Sequence, residues 1–435
     1  MLFGKTGRTP GENLVVRGAR VLDPVEGIDS VSDVRVDRGT ISQIGPGLET
    51  NGHRVIDGAG LVLAPAFVDP HVHLRVPGGE DEETIASGTA AAAAGGYCAI
   101  LAMPNTDPVV DSAAVLGSLI EDAQREAEIP VGFLAAITRG QEGAELTEMV
   151  ELAEQGAAGF TDDGRPLVAP ALMRRALQYH GVAGRRLALH CEEPTLSRGG
   201  QMHEGAVSAE LGFTGYPSVA ESVMVERDLA LAAYEEQPLH LLHLSARESV
   251  DALRAAQAKG VAATAEVTPH HLCLTDEAVR TLDSNVKMNP PLRSADDRAA
   301  LIEGLRDGTI GSVATDHAPH ARHEKEVPFE AAPFGVTGLE TAFAVLYTDL
   351  VEPGILPLEI LLERMSAGPA RAYGLEPPRI AIGAEANLVL LDTRATWRVE
   401  EAGFRSRSAN SWLLGHHLTG QVRLTVAAGR MAFQA

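Results

Sequence analysis

The sequence predicts an α/β protein, a (β/α)8 TIM-type barrel with a small β-sandwich domain formed from both chain ends. Three observations lead there. Apolar runs at 61–68, 97–103, 131–137, 157–161, 186–190, 239–244, 261–267 and 311–315 alternate with Ala-, Leu- and Glu-rich stretches of helical period, the order of a barrel in which each strand is followed by a helix. Both ends of the chain carry only short strands and turn-formers. No Gly-x-Gly-x-x-Gly follows a strand, which argues against an open dinucleotide-binding sheet. The expected division is 1–62 with 373–435 as the composite β domain and 63–372 as the catalytic barrel.

Taken in order, Leu14-Val15-Val16, Val34-Arg35-Val36 and Thr40-Ile41-Ser42-Gln43-Ile44 read as strands broken at Asp23-Pro24, Arg38-Gly39 and Asp57-Gly58. The alanine-rich stretch from Ala86 to Gly96 reads as a tightly packed helix. Pro170 suits the first turn of a helix whose Leu172/Ala176 and Met173/Leu177 pairs share faces. Ser294 caps another, with Asp297 three residues on and Gly308 as its stop. The segment 321–334 has no clear period and is expected to close over the barrel mouth. Near the C-terminus, 386–391 and 421–426 return to strand pattern, with Ala428-Gly429-Arg430 as a tight turn.

A chain of 435 residues, 45% hydrophobic and 22% charged, has an ordinary globular composition. Its net charge of −23 argues against nucleic acid or an anionic membrane as partner. No apolar run approaches the roughly 18 residues of a membrane span. With no signal-like start and only Cys98, Cys191 and Cys273, neither a disulfide framework nor a four-cysteine zinc site is expected, and the protein reads as cytoplasmic.

The chemistry of a barrel belongs at the carboxyl ends of its strands. The first end carries Asp69-Pro70-His71-Val72-His73-Leu74-Arg75. In extended backbone His71, His73 and Arg75 share a face. Two imidazoles at that spacing can grip one cation, and the arginine can take an anion. Later ends bring Asn105, the pair Asp162-Asp163, His190, His243 and Asp316. Four histidines and two aspartates at one mouth amount to two sites of nitrogen and oxygen donors, a set that suits zinc, with manganese or cobalt as substitutes. Two close cations need a shared anionic ligand. A carboxylated lysine is impossible on the fourth strand, because the only lysines are Lys5, Lys259, Lys287 and Lys325. Asp163 or Asp162 is left for that role. His240 falls on the opposite strand face and reads as structural, as do the adjacent His270 and His271.

Several of these pieces resemble the amidohydrolase superfamily and, more narrowly, the type I, bacterial dihydroorotase group. They are Asp69-Pro70-His71-Val72-His73-Leu74-Arg75-Val76-Pro77-Gly78, Met103-Pro104-Asn105-Thr106, Phe160-Thr161-Asp162-Asp163-Gly164, His190-Cys191-Glu192, Val286-Lys287-Met288-Asn289-Pro290-Pro291-Leu292-Arg293 and Ala314-Thr315-Asp316-His317-Ala318-Pro319-His320. They run in family order over nearly the whole chain. Ala66 and Val76 depart from the usual pattern without removing a ligand.

The resemblance implies two Zn2+ per chain, with His71, His73 and Asp316 on one, His190 and His243 on the other, and Asp163 as the bridge. Arg75, Asn105 and His320 would hold a substrate carboxylate. Asn289 would meet a pyrimidine ring, and Phe334 and Gly335 would lie on a substrate loop. The implied reaction interconverts dihydroorotate and N-carbamoyl-L-aspartate in pyrimidine biosynthesis, by way of a metal-bridging hydroxide and with Asp316 as general acid and base. A homo-oligomer is expected, with aspartate carbamoyltransferase, a metabolic neighbour, as candidate partner. The alternatives are another cyclic-amide hydrolase, such as a hydantoinase or allantoinase, which generally uses the lysine-derived bridge, or a non-catalytic scaffold for that carbamoyltransferase.

Overall fold

The computed structural model describes residues 1–5 and 11–435. Eight strands form the barrel wall in chain order: Phe67–Val72, Tyr97–Ala102, Val131–Ala135, Gly159–Phe160, Arg186–Leu189, Leu239–Leu241, Ala263–Val267 and Ser312–Val313. Each falls within or overlaps an expected run, and all their pairings are parallel. Nearly every residue in them is buried. Strands covered on both faces read as continuous apolar runs, and that is why no period-two alternation marks them.

Helices pack outside. Ile85–Ala94 starts at a capping box between Thr84 and Ser87, and Ala295–Asp307 at one between Ser294 and Asp297. Gly308, at φ 90°, ends the latter. Pro170–Ala183 opens on its proline and stops at Gly184, φ 66°. Among the described residues no helix is long and apolar enough to cross a membrane.

The first and eighth strands close the barrel without a regular ladder. A single parallel bridge joins Val72 to His317, where the His73 N–H donates to the His317 carbonyl at 2.8 Å. Deeper in the seam the fully buried Asp69 accepts from the Thr315 N–H (3.1 Å), the Thr315 hydroxyl (2.5 Å) and the His71 N–H (3.2 Å). Burial pushes the Asp69 carboxyl up to about 7, against the pull of those donors.

Both chain ends build one eight-stranded sheet. Its order is Arg430–Gln434, His417–Ala427, Leu388–Arg398, Val62–Pro65, Leu14–Asp23, Ile28–Asp37 and Thr40–Gly45, with Arg54–Asp57 also paired to Leu14–Asp23. Val62–Pro65 is the stitch, parallel to the N-terminal strand and antiparallel to the C-terminal one. The strand expected over 61–68 is therefore two, one in each sheet, changing over at Ala66. The Ala66 N–H still bonds the Asn387 carbonyl at 3.0 Å, and the next one, of Phe67, turns to the Gly96 carbonyl beside the barrel at 2.9 Å. This sheet encloses its own core of Leu14, Val16, Val34, Leu388, Leu390 and Leu424.

Between its last two long strands the chain leaves the sheet and lies across the barrel mouth. Ser406 Oγ and the Arg407 N–H donate to Glu83, and Ser408 Oγ donates to the Glu82 carbonyl at 2.6 Å. Asn410 accepts from the His320 N–H (3.0 Å) and donates to the Ala318 carbonyl (3.1 Å).

Removing the Asp69 carboxylate leaves three buried donors without an acceptor. At about 1–3 kcal/mol for each orphaned group, Asp69→Ala lowers stability by at least about 3 kcal/mol, read from the urea midpoint. A loss under about 1 kcal/mol removes Asp69 from the seam.

Candidate metal centre

The carboxyl ends of the barrel strands open on a cavity of ≈ 160 Å³, room for a small molecule only. It is lined by His73, Arg75, Asn105, Asp163, Gly164, His190, His243, Asn289, Asp316, Ala318, Phe334 and Gly335. His71, fully buried, lies below, and His320 lies behind Arg75. The backbone bends hard to aim these groups: Arg75, His243 and Asp316 sit at φ 59°, 28° and 49°. Non-glycine residues adopt that region at a cost, and such strain collects at functional sites.

Asp163 stands between two groups of donors. Its Oδ2 is 3.5 Å from His71 Nε2 and 3.5 Å from His73 Nε2. Asp316 Oδ1 completes that group, 3.4 Å from His71 Nε2 and 3.1 Å from His73 Nε2. The other oxygen, Oδ1, is 3.4 Å from His243 Nε2 and 3.8 Å from His190 Nδ1, which are themselves 3.0 Å apart. Atoms bound to one cation at about 2.1 Å in a tetrahedron lie about 3.4 Å from each other. Both groups match that edge.

Electrostatics agree with the fit. Burial alone would raise the Asp163 carboxyl, yet His71 and His243 beside it hold it well below the ordinary carboxylate range. Burial likewise disfavours a charged His71, but Asp163 and Asp316 lift its pKa well above the usual value. The cluster is an environment that attracts positive charge. His71 Nε2 and Asp163 Oδ1 are moreover buried polar atoms without a hydrogen-bond partner, a state seldom tolerated unless something else binds there. The residues present therefore fit a pair of divalent cations.

Asp162 points elsewhere, accepting from the Ile137 N–H (2.8 Å), the Thr138 N–H (3.1 Å) and the Thr138 hydroxyl. The choice between the two acids is thus made by backbone donors on the neighbouring strand end.

Three of the four imidazoles are steered from behind. His71 Nδ1 bonds Glu266 Oε1 at 2.8 Å, and Glu266 Oε2 bonds His240 Nε2 at 2.9 Å, both inside the wall. Burial would raise the Glu266 carboxyl, but His240 and His71 bring it down to about 2. His190 Nε2 meets Glu192 Oε2 at 2.9 Å, where Asn289 Nδ2 also donates at 3.2 Å. His73 Nδ1 meets Asn105 Oδ1 at 2.9 Å, so only the Asn105 amide N–H groups remain for a ligand. Hydrogen bonds of this kind set the ring tautomer and raise ligand basicity.

Glu266 and Glu192 are not anticipated by the sequence reading, although a glutamate inside the apolar strand Ala263–Val267 is a signal in itself. His240 is structural as expected, and it also supports Glu266. His271 is occupied at both nitrogens, by Thr268 Oγ1 and the Pro290 carbonyl.

Arg75 holds its head still at one end. Its Nε donates to the Pro319 carbonyl (3.0 Å) and pairs with Glu82 Oε2 (2.9 Å). Phe334 and Gly335 reach the cavity on a segment tied down by two lysines. Lys287 donates to the Phe329 (2.8 Å) and Glu330 (3.0 Å) carbonyls, and Lys325 to those of Pro333 (2.9 Å) and Gly335 (3.0 Å). Gly335, at φ 119°, could not carry a side chain, because a Cβ would stand 2.6 Å from that of Ala318.

Comparison with known proteins gives the lineage. Residues 60–249 match the family model described as dihydro-orotase-like. A dihydroorotase of Pelotomaculum thermopropionicum is 46% identical over 97% of this chain and 98% of its own length. One of Geobacter metallireducens is 43% identical over 97% and 100%. Among solved structures, an L-hydantoinase of Arthrobacter aurescens superposes with a TM-score of 0.86 over 97% of this chain and 96% of that one, at 24% identity. A dihydropyrimidinase of Brevibacillus agri does so with 0.82 over 96% and 94%, at 22%. At that distance the likeness speaks for the fold. At 43–46% identity over 97% of its length to these sequence relatives, the chain belongs to the dihydroorotase family.

Proposed function

We propose that the protein catalyses the reversible opening of (S)-dihydroorotate to N-carbamoyl-L-aspartate, using two zinc ions held at the barrel mouth. The observation that carries this reading is the division of Asp163, one oxygen toward His71 and His73 and the other toward His190 and His243. On this reading His71, His73 and Asp316 hold one ion, His190 and His243 the other, and Asp163 spans both. The catalytic part is 63–372, with 1–62 and 373–435 as the β domain. The protein works in the cytoplasm as a homo-oligomer, and aspartate carbamoyltransferase is its candidate partner.

When bound, such a pair of cations supplies Lewis acidity and an ionised water near neutral pH. The chain does the rest. Asp316 turns Oδ1 to the imidazoles, which leaves Oδ2 to take the proton of the attacking water and return it to the departing ring nitrogen. Arg75 has its Nε engaged and offers its terminal nitrogens to the substrate carboxylate, a two-pronged hold that fixes the ring amide over the cluster. The Asn105 amide stands beside it, and His320, its Nε2 on the Phe334 carbonyl, backs the guanidinium. Asn289, the Phe334 backbone and Gly335 border the ring.

Loss of dihydroorotate followed in the ultraviolet, with hydantoin and allantoin as controls, tests the substrate. Turnover of hydantoin at a comparable rate would falsify the assignment. Asp316→Asn is expected to lower kcat by at least about a hundredfold with metal content intact; near-normal turnover in a metal-loaded variant removes the proton-carrying role. Arg75→Lys raises KM for dihydroorotate markedly, because an ammonium cannot reproduce the fork; an unchanged KM takes Arg75 out of the site. Glu266→Gln, which never meets substrate, weakens metal affinity by roughly 10–100-fold in a competition titration against a chromogenic chelator. Wild-type affinity in that variant would mean Glu266 does not orient His71.

A further inference from the structure

Outside the two donor groups, a third set converges at the rim of the mouth. His320 Nδ1 lies 3.6 Å from Glu82 Oε2 and 3.6 Å from Glu324 Oε2, and the ligand atoms of all three residues fall within 4.8 Å of one another. His320 is 8% exposed, and its Nδ1 is buried without a hydrogen-bond partner. The other ring nitrogen shows which one carries the proton. Nε2 lies 2.8 Å from the Phe334 carbonyl, which can only accept, so the hydrogen is on Nε2. Arg75 approaches the same nitrogen at 3.4 Å, too far to compete. Nδ1 therefore presents a bare lone pair toward two carboxylates.

His320 Nδ1 and Glu82 Oε2, buried without hydrogen-bond partners among the described residues, and Oε2 of the partly exposed Glu324 call for something positive between them. A second proton on the ring is a poor answer. Burial and the adjacent Arg75 guanidinium both disfavour an imidazolium and take the His320 pKa down to about 3, and an N–H at 3.6 Å makes no hydrogen bond with either glutamate. Both acids are meanwhile held in place. The Ala321 N–H donates to Glu324 Oε2 at 2.8 Å, and Glu82 Oε2 lies 2.9 Å from Arg75 Nε as a charge pair, the Nε hydrogen being given to the Pro319 carbonyl. Two carboxylates against one guanidinium leave a surplus negative charge.

We propose that Glu82, His320 and Glu324 form a separate rim site for one divalent cation that prefers nitrogen and oxygen donors, such as zinc, manganese or cobalt. The two distances from His320 Nδ1, 3.6 Å each, lie near the tetrahedral edge of about 3.4 Å used above. The site shares Glu82 with Arg75, so its occupant sits next to the residue that takes the substrate carboxylate.

The test is metal stoichiometry, independent of turnover. Full-length protein is stripped with chelator and equilibrated with rising zinc chloride, and bound zinc per chain is counted by mass spectrometry of the elements. Wild type is expected to bind one ion more than Glu324→Gln and one more than Glu82→Gln, with the affinity of that last ion weakened at least about tenfold in each. Matching urea midpoints show that the variants are folded. His190→Ala lowers the count at the barrel centre and leaves the rim ion in place. Equal zinc counts in wild type and both glutamine variants overturn the rim site while leaving the two-ion reading intact. If the only zinc bound is the ion lost in Glu324→Gln, the rim site stands and the two-ion reading fails.

Discussion

One carboxylate has to serve four imidazoles. Asp163 is buried between them with an oxygen turned to each pair, and every other part of the mouth is arranged around that division. Charges in a dry interior are tolerable only when each is paired and each remaining lone pair is answered. Here the answering is done in layers. Histidines face the aspartate, acids and amides face the histidines from behind, and backbone donors on neighbouring strands face the acids. A barrel suits the task because consecutive parallel strands set such layers side by side. Glu266 reaches His71 and His240 from its own strand with no loop involved.

The same demand explains the placing of the other acids. Asp162 differs from Asp163 by one position in the chain, yet it spends both oxygens on Ile137 and Thr138. It thereby anchors the turn that delivers its neighbour. Asp69 does the equivalent at the closing seam, where it ties Thr315 to the turn that presents His71. The metal-capable residues are thus flanked by acids whose business is backbone geometry. Residue type alone does not separate the two kinds.

Much of this was legible in the sequence. The alternation of apolar runs with helical stretches announced the barrel, and strand ends carrying His71, His73, His190, His243, Asp316 and the pair Asp162-Asp163 pointed to one mouth, because strand ends and alternating side chains are local properties; between the two acids only the family resemblance chose. What stayed hidden depends on partners far apart in the chain. The seam between Asp69 and Thr315 and the support of His71 by Glu266 join residues roughly two hundred or more positions apart. Nothing in either local pattern names the other. The change of sheet at Ala66 was hidden for a different reason: 61–68 is apolar throughout, so nothing in the run marks where its partner strand changes. The Glu82, His320 and Glu324 corner was invisible because an exposed-looking acid run after Gly79 gives no hint that one member folds back beside Arg75.

The strap that carries Ser406, Arg407 and Asn410 across the mouth lies C-terminal to every barrel strand and is made after them. It nevertheless supplies partners to Glu83, His320 and Ala318. A nascent polypeptide can finish all its barrel strands and still lack these bonds. The backbone and side-chain partners of Glu83, His320 and Ala318 at the rim are therefore completed only after the strands that carry the central donors exist.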